Sequence, residues 1–159
     1  MNDRVMFEAT HSVQSAARCG TVYEIWTDVQ RWPEWDLALV KCDIEGEFKV
    51  GAKLQITPQN APNPVDAIIT ELEENALFTD EASMPFGKVS FSHELRAEQN
   101  GCVITHTIRA FVEKEQAVFF GENIFSNMEK GLAPSVEALA QMADKKEALK
   151  RHTESLQSA

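Results

Sequence analysis

The chain has 159 residues, of which 43% are hydrophobic and 25% are charged. This length and composition predict a single globular domain that buries enough apolar surface to fold without disulfides or a structural metal. Asp and Glu outnumber Lys and Arg by 25 to 15, and the resulting net charge of −10 argues against nucleic acid or an anionic membrane as the main partner.

Signals for export, membrane insertion and metal binding are absent from the sequence. The N-terminal residues 1–5 lack an apolar signal segment, and no later run reaches the roughly 18 apolar residues that span a bilayer. The three cysteines are an odd number without metal-ligand spacing, so reduced thiols are expected. These features predict a cytoplasmic protein with no membrane span, no metal and no cofactor.

The first elements are a strand and two short helices. Residues 7–15 alternate as a strand does, and residues 21–29 have helical spacing, with Thr21 as the expected cap. A second short helix is predicted to start at Pro33, with Asp28 as its cap. Trp32 and Trp35 flank this start and are interpreted as packing residues because of their bulk.

Six further strands are predicted between residues 39 and 112, with one loose proline-rich connection at residues 58–64. From residue 113 the pattern is helical to the end. Strands joined by short loops form an antiparallel sheet, and a long amphipathic helix buries its apolar stripe against that sheet. We therefore predict an α+β fold in which a curved seven-stranded antiparallel sheet wraps around a long C-terminal helix, with two short helices after the first strand.

Turn chemistry predicts which strand residues face this helix. A two-residue type I′ turn at Asn100-Gly101 would place His93 opposite Ile108 and Leu95 opposite His106. The two histidines would then be diagonal neighbours, about 6 to 8 Å apart at Cβ. The inner face would comprise Val89, Phe91, His93, Leu95, Ile104, His106 and Ile108.

Two further turns extend this inner face. A tight Pro85-Phe86 turn would set Asp80 opposite Phe91 and Phe78 opposite His93. A two-residue turn at Glu74-Asn75 would add Val65, Ala67, Ile69 and Glu71. The resulting surface is apolar with a few imidazole and carboxyl groups, a composition typical of small-molecule sites and also of cores whose polar groups are satisfied internally.

The final helix carries an inward stripe, and its sequence predicts an irregularity. Gly131 and Pro134 disfavour a regular helix, so a kink is expected, either to leave room for a ligand or to follow a curved sheet. Residues 1–145 are predicted to form the single domain, and residues 146–159 a polar extension into solvent. The stripe consists of Phe125, Met128, Leu132, Val136 and Leu139.

Short motifs are spread along roughly residues 5 to 145 of the sequence: Val22-Tyr23-Glu24-Ile25-Trp26, Asp28, Trp32-Pro33-Glu34-Trp35, Phe48 with Gly51, Phe78 to Glu81, Phe91 to Leu95, Gly101 with Thr105-His106, and Gly131-Leu132-Ala133-Pro134. These motifs resemble those of the START-related helix-grip superfamily, also called SRPBCC, and within it the polyketide cyclase/dehydrase-like branch. The resemblance implies the fold much more specifically than the function.

Three functions remain open at this stage. The first is binding of a hydrophobic or aromatic small molecule in a lipid-binding-like cavity between sheet and final helix; the second is a cyclase or dehydratase using general acid/base catalysis on a polyketide-like or aromatic substrate. The third is a protein-interaction domain, and a homodimer is compatible with any of them. Candidate catalytic residues are His93, His106 and Asp80; candidate ligand-binding residues are Phe78, Asp80, Phe91, His93, His106, Ile108, Phe125, Met128 and Leu132.

Overall fold

The computed structural model describes residues 3–59 and 63–157, so part of the predicted proline-rich connection lies outside the described residues. These residues form a curved seven-stranded antiparallel sheet of order β1-β7-β6-β5-β4-β3-β2. The predicted α+β helix-grip architecture is confirmed. The strands are β1 Arg4–Ser15, β2 Leu39–Glu45, β3 Lys53–Pro58, β4 Val65–Glu73, β5 Leu77–Met84, β6 Gly87–Glu98 and β7 Gly101–Glu113.

The helices follow the predicted order, but the irregular turn lies elsewhere. The helix α3 continues through Pro134 without interruption, whereas a π-helical turn at Gly121–Phe125 precedes it. The helical elements are α1 Cys19–Thr27, a 3₁₀ helix Val29–Glu34, a 3₁₀ turn Lys114–Gln116, α2 Ala117–Phe120, the π-helical turn, and α3 Ser126–Gln157.

Of the two predicted helix caps, Thr21 is wrong and Asp28 is right in position only. Arg18 occupies the N-cap position of α1, and the Thr21 hydroxyl donates instead to Glu147 Oε1 at 2.8 Å. Asp28 does precede the 3₁₀ helix but makes no side-chain capping bond, and Pro33 lies inside that helix. In the case of Thr21, a distant carboxylate replaces the local backbone as hydrogen-bond partner, which a pattern of neighbouring residues does not reveal.

The β6–β7 hairpin keeps the predicted faces in a different register. Its loop is Gln99-Asn100 and neither residue has a positive φ, so the type I′ turn at Asn100-Gly101 is wrong. Gly101 begins β7 with φ +149°, where an added Cβ would collide with the Ser15 carbonyl oxygen. The contact with β1 therefore requires this glycine.

The corrected register brings the two histidines together. His93 pairs directly with His106, and Leu95 pairs with Ile104. Because the register differs from the prediction by two residues, an even number, each side chain stays on its predicted face.

The register of β5 is as predicted, and in β4 Ala67 and Ile69 face inward as predicted, whereas Glu71 does not. Phe78 pairs with His93 and Asp80 with Phe91 across the Pro85-Phe86 turn. A bulge between Ile69 and Glu71 shifts the alternation of β4, so Glu71 is exposed and Leu72 takes the inward position. Glu71 is thereby removed from the inner face.

The final helix α3 packs on β1, β7 and α1. Leu132, Val136 and Leu139 of its stripe are buried, as is Phe125 just before it, while Met128 is half-buried. The helix does not leave the domain at residue 145, because Glu147 is 1% exposed and bonded to Arg18. In the part of the chain that the structure describes, no helix is long and apolar enough to cross a membrane.

Candidate functional site

A cavity of about 220 Å³ lies between the inner face of the sheet, the 3₁₀ helix and the first three turns of α3. The lining includes apolar residues from both layers, namely Trp32, Trp35, Leu39, Ile56, Val65, Ala82, Met84, Phe91, Ile108, Met128 and Leu132. Its polar side chains are Asp36, Asp80, His93, His106, Asn127 and Ser135; Ser92 and Thr107 also border it, but their hydroxyl groups bond to Thr79 and Thr10 on the opposite face of the sheet.

Most of the predicted ligand-binding residues lie in this wall, but Phe78 and Phe125 do not. Phe78 is fully buried and stacks on the His93 ring, with ring centroids 3.8 Å apart. Phe125 packs on Phe7 at 5.3 Å. These two aromatic rings belong to the core next to the cavity. The predicted residues in the wall are Asp80, Phe91, His93, His106, Ile108, Met128 and Leu132.

The two histidines form an edge-to-face pair with ring centroids 4.5 Å apart. His93 Nδ1 lies 3.1 Å from the Phe78 carbonyl oxygen, which can only accept, so Nδ1 carries the proton and Nε2 is a free base. Burial lowers the pKa of His93 to about 3, and burial together with His93 holds the pKa of His106 well below its usual value. Both rings are therefore neutral at pH 7.

Asp80 projects from β5 into the cavity wall and is 2% exposed. Its Oδ1 atom has no hydrogen-bond partner. Burial, reinforced by the negative charges of Asp36 and Glu81, raises the pKa of Asp80 to about 8. This carboxyl group is therefore mostly protonated at pH 7 and is able to donate a proton or a hydrogen bond.

A second carboxyl group, Asp36, lines the same cavity and was not among the predicted residues. Its Oδ1 accepts from the Ser135 hydroxyl and from the Ala38 amide, each at 3.3 Å. Burial raises its pKa above the usual value despite these two bonds. The sequence did contain a signal, because Asp36 directly follows the Trp-Pro-Glu-Trp motif, and Ser135 lies three residues after Leu132 on the inward face of the helix.

The tryptophans of that motif are part of the site as well as of the core. Trp32 Nε1 donates to the Trp26 carbonyl oxygen at 2.8 Å, which fixes its ring. Trp35 is 2% exposed, and its Nε1 has no partner, as is also true of His106 Nε2. The interpretation of both tryptophans as packing residues was therefore incomplete.

The alternatives to this cavity are a metal site and a larger surface groove. Among the described residues, no three His, Cys, Asp or Glu side chains cluster as metal ligands would. A larger concavity of about 700 Å³ between α1 and the end of α3 is an open groove with charged walls that include Arg18, Glu24 and Lys150. The buried carboxylate Glu147 does not line this groove, and it already has hydrogen-bond partners in Arg18 and Thr21.

Solved structures with the same fold include several with different chemistry. A norcoclaurine synthase point mutant from Thalictrum flavum, in complex with a transition-state analogue, has a TM-score of 0.70 at 15% identity, covering 90% of this chain and 97% of that one. A protein of unknown function from Staphylococcus aureus has a TM-score of 0.67 at 16% identity, covering 90% and 98%. At such identities the likeness shows the fold alone.

A third structure comes from a biosynthetic pathway. The di-domain aromatase/cyclase StfQ of the steffimycin pathway has a TM-score of 0.71 at 9% identity, covering 93% of this chain and 52% of that one. This chain thus spans about half of that protein. The search of curated proteins found no match.

The family itself is established by sequence. The family model described as polyketide cyclase/dehydrase and lipid transport matches residues 6–144, which is most of the chain. The matched residues run from β1 into α3. The chain therefore belongs to the polyketide cyclase/dehydrase and lipid transport family, within the SRPBCC superfamily.

Proposed function

We propose that the protein binds a small hydrophobic or aromatic molecule carrying at least one polar group in the cavity between sheet and α3. One observation carries this proposal: Asp80 Oδ1, His106 Nε2 and Trp35 Nε1 are buried and unpartnered around a single, mostly apolar cavity. Buried polar atoms in proteins nearly always have partners. A ligand with matching polar groups would supply hydrogen-bond partners for all three unpartnered atoms in the wall of this cavity.

The cavity volume narrows the class of ligand. A volume of 220 Å³ equals that of about seven water molecules at liquid density. This space suits one six-membered ring with a short substituent, and it is too small for a long acyl chain or a fused multi-ring polyketide. The polar atoms lie on several sides of the cavity, so they would orient the ring as well as retain it.

The test uses toluene and phenol as probes in saturation-transfer NMR. Both are expected to bind saturably, with phenol tighter because its hydroxyl group has a choice of unpartnered atoms. A Gly131→Leu variant should lose both signals while staying folded, since an added Cβ at Gly131 meets no atom within 4 Å and the side chain would grow into the cavity. Lys130→Leu, on the exposed side of the same helix, is the matched control and should bind as the parent does.

Two results would contradict the proposal. One is the absence of saturable binding for both probes; the other is equal binding by the parent and the cavity-filling variant. Circular dichroism and a thermal melt of each variant establish that a lost signal reflects a filled cavity and not an unfolded protein.

A second candidate function, acid/base catalysis on a ring substrate, is favoured by the protonation states in the wall. Asp80, with its pKa of about 8, holds a proton at pH 7, while the His93 Nε2 lone pair is free to accept one. Together with His106 these groups would move a proton during enolisation or loss of water. If this function is correct, turnover of a ring ketone should fall at least about a hundredfold in Asp80→Asn, whereas a binding protein would show no turnover to lose.

A further inference from the structure

The cavity has an unbalanced set of ionisable groups. Two carboxyl groups, Asp36 and Asp80, line it, but no lysine or arginine does so among the described residues. The remaining ionisable side chains in the wall are His93 and His106, and both are neutral. The wall is therefore able to carry negative charge and supplies no positive charge to compensate for it.

The groups around Asp80 reinforce this imbalance. The negative charges of Asp36 and Glu81 add to the effect of burial in raising the pKa of Asp80. Burial and the charges of Asp36, Asp43 and Asp80 likewise raise the pKa of the Cys42 thiol on β2. Two carboxyl groups in one poorly solvated space disfavour each other's ionisation, and a cation in the same space reverses that effect for both. An anionic ligand would add a further repulsion.

Two other features of the wall suit a cation. Asp80 Oδ1 is buried with no partner, so one carboxyl oxygen is available to accept from an N–H donor. The indole rings of Trp32 and Trp35 also line the cavity, and aromatic faces attract ammonium groups. The oxygens of Asp36 are partly engaged with Ser135 and Ala38, which holds that carboxyl group in a fixed position.

We infer that the ligand is a ring compound bearing a protonated amine, whose ammonium group pairs with the carboxyl groups of Asp36 and Asp80 while the ring occupies the apolar part of the cavity. This inference rests on the proposed function and specifies its ligand class. In the empty protein Asp80 carries a proton at pH 7, so binding of the ammonium form releases a proton to solvent and leaves a carboxylate–ammonium pair. Charge and protons balance without any co-reactant.

The experiment compares three probes of nearly equal size and different charge: benzylamine, benzyl alcohol and benzoate. Affinities are measured by isothermal titration calorimetry at pH 7, in two buffers that differ in ionisation enthalpy. Benzylamine is expected to bind about tenfold or more tightly than benzyl alcohol, with benzoate weakest. The buffer comparison should show release of about one proton with benzylamine and none with benzyl alcohol.

Variants assign the preference to the carboxyl groups. Asp80→Asn should remove the preference for benzylamine, and Asp36→Asn, which serves if the first variant does not fold, should reduce it. Asp43→Asn removes the same charge from a more exposed site on β2 outside the cavity wall, where Asp43 faces Lys41, and should leave the preference unchanged.

The outcomes separate this inference from the proposed function. Benzyl alcohol binding as tightly as benzylamine, or benzoate binding best, would overturn the amine assignment and leave a neutral or anionic ring compound as the ligand. A preference that survives in Asp80→Asn and Asp36→Asn would also overturn it. If none of the three probes binds, the proposed function itself fails and the amine assignment fails with it.

Discussion

Two buried carboxyl groups lie at different ends of α3, one on the helix itself and one facing it, and their pKa values are shifted in opposite directions. At the packed end, around residues 139–147, Glu147 accepts bonds from the Arg18 backbone amide, the Arg18 guanidinium and the Thr21 hydroxyl, and these interactions lower its pKa to about 2. At the cavity end, around residues 127–135, Asp80 faces the helix without a partner for Oδ1, and burial raises its pKa to about 8.

The comparison shows how partners, and not burial alone, determine the charge of a buried acid. Glu147 and Asp80 are 1% and 2% exposed, but Glu147 lies close to the surface beside the exposed Arg18 guanidinium, whereas Asp80 lies deep in the protein. Three donors, one of them the Arg18 cation, stabilise the carboxylate form of Glu147, whereas burial and two neighbouring acids oppose that form in Asp80. A fully partnered buried charge indicates a structural role, and an unpartnered one in a cavity wall indicates a binding site.

The largest effect should come from truncating the apolar stripe at the packed end. Leu139 is fully buried, so Leu139→Ala is expected to cost about 3–5 kcal/mol. Leu132→Ala should cost less, about 2–3 kcal/mol, because Leu132 already borders the cavity. Urea denaturation of both variants measures the difference, and equal costs would mean that the two ends of α3 are packed alike.

Removing the charge of Glu147 is expected to cost about 1–3 kcal/mol at pH 7, since the donors from Arg18 and Thr21 lose a charged acceptor. The pKa of Glu147 is lowered on folding, so its contribution is complete above pH 4.5 and is lost as the pH falls toward 2. The stability gap between the parent and Glu147→Gln should therefore narrow over that range in pH-dependent melts.

Glu137→Gln is the control for this prediction. Glu137 lies on the same helix with a side chain that is 59% exposed, 3.7 Å from His11 Nε2. Its replacement should change stability by no more than about 0.5 kcal/mol. An equal loss in both variants would show that the buried cluster contributes no more than a surface pair.

The stability contributed by Asp80 should depend on pH in the opposite direction to that contributed by Glu147. The pKa of Asp80 is raised on folding from 3.8 to about 8, so its protonated form stabilises the native state below pH 3.8, and this stabilisation is lost as the pH rises through 8. Relative to the parent, Asp80→Asn should thus gain about 1–2 kcal/mol between pH 7 and pH 9. Asp43→Asn should show no such trend, and a flat difference for Asp80→Asn would contradict the elevated pKa.

The smallest effect concerns two helical glycines. Gly131→Ala should raise stability by about 1 kcal/mol, because alanine is the better helix former and its Cβ meets no atom within 4 Å. Gly121→Ala should lower stability, since its Cβ would lie 2.8 Å from Phe7 Cε1. Thermal melts show whether each substitution raises or lowers stability. Destabilisation by Gly131→Ala would mean that the cavity is closed at that point.

Much of this architecture was predictable because it depends on patterns with a fixed period. Alternation along β6 and β7 placed His93 and His106 on the inner face, and helical spacing placed Leu132 and Val136 there. The direct pairing of the histidines was missed, because the contact between Gly101 and Ser15, far apart in sequence, determines the turn. Glu71 was misplaced because one bulge reverses the alternation.

The polar partners of the site were harder to predict for a similar reason. The bond from Ser135 to Asp36 joins residues 99 positions apart, and the absence of a partner for Asp80 depends on every element that surrounds it. Local spacing places Ser135 on the inward face of the helix, but it does not identify Asp36 as its partner or reveal that Asp80 has none. Pairing across the whole fold decides which buried acid is satisfied and which is left unpartnered.

The pairing of β1 with β7 has a consequence for the order in which the protein folds. Arg4 lies opposite Glu113, and the register continues to Ser15 opposite Cys102. The first strand therefore has no partner in the sheet until the last strand is present. During synthesis the sheet remains open until β7 has emerged, and closing so long a loop makes folding slow. A nascent chain stalled before β7 would therefore expose the apolar faces of β4, β5 and β6, and it should depend on chaperones more than the finished protein does.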